Sequence, residues 1–164
     1  MTDNEKGVLS QKYVDKARLI YNNLVNANSS DPRSCNEIIS YCEKANKYLP
    51  HPDAYLLLSK AVHLKSLNFS DRERFDLLDL AMFYIEKALE ILPKVDHPLG
   101  ADFYFWKAEV YLDIVRFSPT KKSTLLILDI AEKAYREALR LDPNHPLSIN
   151  NLNALIRTKR KLGL

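Results

Sequence analysis

The side chains of this 164-residue chain that could serve catalysis or hold a metal are four histidines, two cysteines and a few carboxylate pairs. Histidine would act as general base or ligand, but three of the four precede proline, at His51-Pro52, His97-Pro98 and His145-Pro146. A dipeptide recurring at 46 and then 48 residues marks junctions between similar segments more naturally than a catalytic centre. His63 has no Cys or His three or four positions away, the spacing that places two ligands on one helix face, so no metal site is expected. Cys35 and Cys42 lie seven apart; on a helix their Cα atoms are about 10 Å apart, beyond disulfide reach, so both are expected to be reduced packing residues. The pairs Asp76 with Asp79 and Glu86 with Glu90 sit among Lys and Arg and read as solvated helix faces. Gly7, Gly100 and Gly163 are isolated and cannot form a phosphate-cradling loop. Neither an enzyme nor a cofactor is expected.

One run of charge stands out, Arg157-Thr158-Lys159-Arg160-Lys161, four cations that could meet phosphate or an acidic partner. No aromatic is interleaved for base stacking, and cations suit the C-terminal end of a helix, so nucleic-acid binding is a minor alternative. The whole chain carries only +3, from 24 Lys+Arg against 21 Asp+Glu, and its 46% hydrophobic content suffices for one folded core. The richest segment, Phe103 to Phe117, is interrupted by Lys107, Glu109, Asp113 and Arg116, so no membrane span is expected. The start, Met1-Thr2-Asp3-Asn4-Glu5-Lys6, lacks an apolar stretch behind a basic start, which points to a cytoplasmic protein.

Positioning falls to a repeat. Counting back from Pro50, Pro93 and Pro143, the same four-three-five spacing appears three times: Ile38, Cys42, Ala45; Ala81, Ile85, Ala88; Ala131, Tyr135, Ala138. Steps of four and three put each trio on one helix face, small Ala admits a neighbouring helix, and Pro ends the helix. Turns are expected at residues 28–32, 68–71 and 118–120. Asp31 and Ser118 each precede a proline at a first helical position, and Ser70 with Glu73 forms a capping-box pattern. Seven helices follow, as three antiparallel pairs plus a last one.

The copy Ala131-Glu132-Lys133-Ala134-Tyr135-Arg136-Glu137-Ala138-Leu139-Arg140-Leu141-Asp142-Pro143-Asn144 resembles the second helix of the tetratricopeptide repeat. Weaker matches to its first helix are Tyr13, Lys16, Ala17, Ile20; Tyr55, Leu58, Ser59, Val62; and Tyr104, Lys107, Ala108, Tyr111. Ile149, Leu152, Asn153 and Ile156 resemble a capping helix. The two helix signatures of each repeat start 25, 26 and 27 residues apart, farther than in the family, because both helices are long. A HEAT-like array is the structural alternative. The resemblance implies an all-α, right-handed α-solenoid: a tail at 1–9, repeats at 10–50, 51–96 and 97–144, and a capping helix at 145–164.

It also implies a non-catalytic protein-protein interaction module, a scaffold, adaptor or cargo chaperone that holds a peptide or helix of another protein in a concave groove. The residues facing that groove would be Val14, Arg18 and Tyr21; Leu56, Leu57, Lys60 and His63; Phe105, Trp106, Glu109 and Leu112; and Asn150, Asn151, Ala154 and Arg157. The places where family members clamp a terminal carboxylate are held here by Val14, Arg18, Leu57, Asp102 and Trp106, so that clamp is not expected. Trp106 lies on a helix apolar nearly all round and is read either as core or as groove. Self-association through the same apolar surface is the alternative function.

Overall fold

The computed structural model describes residues 1–92 and 99–163, and all regular structure among them is helical. The seven α-helices are α1 (Asp3–Asn26), α2 (Pro32–Tyr48), α3 (Pro52–Ser66), α4 (Asp71–Ile91), α5 (Gly100–Ile114), α6 (Lys121–Leu141) and α7 (Pro146–Lys161), with a 3-10 turn at Val115–Phe117 closing α5. They form two compact units, Met1–Val95 and Asp96–Leu164. The expected boundary at 96/97, together with Pro93 and the His97-Pro98 junction, lies outside the described residues.

In the first unit, α1 packs on α2, α2 on α3, α3 on α4, and α1 also reaches α3. The Ser10 hydroxyl near the start of α1 donates to the Leu49 carbonyl just past α2 at 3.1 Å, so the two helices run in opposite directions. Val14 and Ala17 of α1, Cys35, Ile38, Cys42 and Ala45 of α2, and Ala54, Leu57, Leu58 and Ala61 of α3 share one core. In the second unit, α5 packs on α6 and α6 on α7, around Ala108, Leu128, Ala131, Ala134, Tyr135, Leu152 and Leu155.

The four-three spacing places its residues as the periodicity requires: all nine of Ile38, Cys42, Ala45, Ala81, Ile85, Ala88, Ala131, Tyr135 and Ala138 are fully buried. So are their small counterparts Ala17, Ser59 and Ala108. Ser59, which stands where the other two helices carry Ala, donates its hydroxyl to the Ala81 carbonyl at 2.7 Å and so remains satisfied inside the α3/α4 seam.

The helix ends correct three expectations. Residues 3–9 are no tail: Thr2 accepts from the Glu5 amide and Glu5 accepts from the Thr2 amide, a capping box that starts α1 at Asp3. The cap of α6 is Thr120, paired with Ser123, rather than Ser118 before Pro119. Ser70 occupies the cap position of α4 but makes no capping bond; Asp71 adopts φ +49°, which turns the first peptide away from the hydroxyl. Asp31 caps α2 as expected, with its carboxylate accepting from the Ser34 amide at 2.8 Å and Pro32 at the first position. The α1 end is a Schellman motif, with Asn28 at φ +48° and Ser29 N–H donating to the Leu24 carbonyl at 2.9 Å.

Candidate functional site

The groove residues expected in the first unit are largely committed to their own fold. Val14 is fully buried, and Leu56 and Leu57 are 9% and 5% exposed. They are core residues, because the step from Val14 to Ala17 aims both at α2 and Leu57 joins the same core from α3. Arg18 bridges helices, donating to Asp53 at 2.9 Å while also contacting Asp15 at 3.2 Å. The Lys60 ammonium lies 5.5 Å from the centre of the Tyr21 ring, a cation–π contact between α3 and α1. Burial pushes the Tyr21 phenol above its usual value. His63 is half-buried on the last turn of α3.

The second unit is different. A cavity of about 320 Å³ opens between α5, α6 and α7, lined by Glu109, Leu112, Val115, Leu128, Tyr135, Asn151, Ala154, Leu155 and Thr158. Four of these, Glu109, Leu112, Asn151 and Ala154, belong to the set that the sequence placed in a groove. At one end of the cavity Glu109 Oε1 accepts from Asn151 Nδ2 at 2.8 Å and from the Tyr135 hydroxyl. Burial, and then the bond to Glu109, push the Tyr135 phenol well above its usual value, so it stays a neutral donor. Glu109 Oε2 has no hydrogen-bond partner among the described residues and is not buried, so it is open to solvent in a residue that lines the cavity. Asp113, one turn along α5, adds a second negative charge that also raises the Tyr135 phenol. The remaining walls are apolar except for Thr158, whose hydroxyl donates to the Ala154 carbonyl at 3.1 Å.

Of the other expected residues, Phe105 packs its ring against Tyr135 and His145, with centroids 6.0 and 5.3 Å away. Trp106 is half-buried, between the two expectations held for it, and Asn150 and Arg157 are exposed and outside the cavity lining. Within the basic run, Lys159 is tied to α6, donating to Asp129 and Glu132, both at 2.6 Å. The two carboxylates raise the Lys159 ammonium, and Lys159 with Arg136 holds the Glu132 carboxyl below its usual range.

One arrangement was not anticipated. His145 Nε2 lies 2.9 Å from Asp102 Oδ1, and His145 Nδ1 lies 2.8 Å from Ser148 Oγ, the atom types of a serine hydrolase relay. The Ser148 amide also donates to Nδ1 at 3.2 Å, and Ser148 is fully buried three residues into α7. The trio therefore caps a helix and ties it to α5; a hydroxyl without solvent access cannot attack a substrate. His51 does the same at α3, where Nδ1 accepts from the Asp53 amide at 3.1 Å. The sequence signal was the His-Pro pair, whose histidine sits at the cap and whose proline takes the first helical position.

Among the described residues no group of three or more His, Cys, Asp or Glu could share a metal ion, and no helix is long and apolar enough to cross a membrane. No family model matches the chain, and no curated protein matches it.

Proposed function

We propose that this chain is a non-catalytic protein-protein interaction module of tetratricopeptide-like helix pairs, acting as scaffold, adaptor or cargo chaperone, and that it seats a segment of another protein in the α5–α7 cleft. The observation that carries the reading is the cavity: largely apolar walls with a polar cluster of Glu109, Tyr135 and Asn151 at one end, made by residues from three helices. The full burial of all three four-three-five trios supports the repeat assignment.

Panning the full chain against a short-peptide display library tests this. Peptides that bind the native chain and are released by Ala154→Arg, a substitution at an exposed position that fills the cavity mouth, support the reading, provided circular dichroism is unchanged. No binders, or binders indifferent to that substitution, contradict it. Self-association is the second reading, favoured by Phe75, Leu80 and Phe83 of α4, which are 38%, 38% and 53% exposed. Light scattering across concentrations separates the two: a persistent monomer removes self-association.

A further inference from the structure

The α5–α7 cleft carries a chemical preference as well as a shape. Among the described residues its one charged lining residue is Glu109, whose Oε1 is already taken by Tyr135 and Asn151 and whose Oε2 is open. An apolar side chain filling this space would strip water from Oε2 and give nothing back, which costs free energy. An anion would face Glu109 and, a turn away, Asp113. A metal ion would find one open carboxylate oxygen beside an amide NH2 and a phenol that both point protons at Oε1, which is no coordination shell. A cation on a hydrocarbon stem satisfies both parts: the head pairs with Oε2 while the methylenes lie along Leu112, Val115, Leu128 and Leu155. At about 320 Å³ the space lies at the small end of ligand-sized cavities and suits one long side chain.

Resting on the reading of this cleft as a partner-binding site, we propose that it takes a lysine or arginine side chain of the partner protein, with the cationic head at Glu109 and the stem between α5, α6 and α7. The partner segment is therefore basic at its anchor, although the chain itself carries +3. Long-range attraction alone would select acidic peptides, so a basic anchor is a local preference that opposes the overall charge.

The probe is a peptide selected on the full chain by display and resynthesised with each Lys or Arg replaced singly by norleucine, which keeps the stem and removes the charge. Titration calorimetry is expected to show one position at which norleucine weakens binding to the native chain about ten-fold or more. On Glu109→Gln, which can still accept from Tyr135, the same replacement is expected to have little further effect. If Glu109→Gln fails to fold, the native chain serves instead: the Lys or Arg peptide is expected to shift the signal of the Asn151 side-chain NH2, which donates to Glu109 Oε1, more than its norleucine counterpart does, and equal shifts overturn the basic anchor. Peptides that bind through the cleft equally well with norleucine throughout overturn the basic anchor and leave the binding reading standing. A library that yields no cleft-dependent peptide overturns both.

Discussion

The α1–α3 face of the first unit and the α5–α7 cleft of the second are built on the same helix spacing, yet one is filled and the other is open. In the first unit Val14, Leu56 and Leu57 are buried, Arg18 is engaged by Asp15 and Asp53, and Lys60 covers Tyr21. In the second, the equivalent space retains a cavity with a carboxylate oxygen open to solvent. The central residue of the buried trio tracks the difference. Cys42 and Ile85 are small or wholly apolar, whereas Tyr135 brings a hydroxyl that must find a partner, and it finds Glu109. The partner's second oxygen is what makes the cleft chemically distinctive.

The comparison breaks most visibly at Tyr135. Tyr135→Ala is expected to cost about 3–5 kcal/mol in urea unfolding, by analogy with other buried aromatic truncations. Tyr135→Phe keeps the ring and is expected to cost only about 1 kcal/mol, because water in the cavity can replace the lost donor to Glu109. Equal losses for the two variants would mean that the hydroxyl pair, rather than ring packing, holds the α5/α6 contact. Next in size are the small-residue seams: Ala45→Leu in the first unit and Ala138→Leu in the second are each expected to overpack and cost about 1–3 kcal/mol. An unchanged midpoint for either would show that its seam is loose and that the two units differ in their cores as well as in their clefts.

A smaller effect separates the units by pH. Glu132 is held below the usual carboxylate range by Lys159 and Arg136, so its contribution is complete above the unfolded carboxylate value and is lost as pH falls through the lower folded value. Lys159 is raised, so its contribution is complete below the usual ammonium value and is lost only as pH rises through the higher folded one. The α6/α7 contact is therefore expected to hold steady near neutrality and weaken in acid. Lys159→Met should lower stability at neutral pH by about 1 kcal/mol or less and flatten the acid dependence, read from urea midpoints at several pH values. The smallest effect concerns the first unit. Cys42 is pushed up to about 12 by burial and Cys35 is also raised, so a thiol reagent should modify both only slowly in the folded protein. Rapid modification, or an intramolecular bridge on a nonreducing gel, would show that the α2 face opens.

The spacing of apolar and small residues was enough to identify the second helix of each pair, because burial there depends on periodicity alone. Helix ends were legible where one side chain decides them, as at Asp31 and Pro32, and misread where two signals compete. Ser118-Pro119 looked like a cap, but the pair Thr120 and Ser123 satisfies more amides; Thr2 and Glu5 formed an equally clear signal inside a segment taken for a tail. The groove was harder to read. A helix face shows in sequence, but whether a neighbour fills it depends on side chains from elsewhere, so Val14 and Leu57 pointed inward while Glu109 and Asn151 met across two helices. The Tyr135 hydroxyl was the available clue, since a phenol in the slot that holds Cys42 and Ile85 in the other pairs requires a polar partner nearby.

Seating of a partner segment in the α5–α7 cleft can be read from a 1H–15N correlation spectrum of the labelled full chain, titrated with a display-selected peptide. Shifts are expected to concentrate at the amides of Glu109, Leu112, Ala154 and Leu155 and at the Asn151 side-chain NH2. Shifts concentrated instead on α4 around Phe75, Leu80 and Phe83, with the cleft signals unmoved, would contradict it.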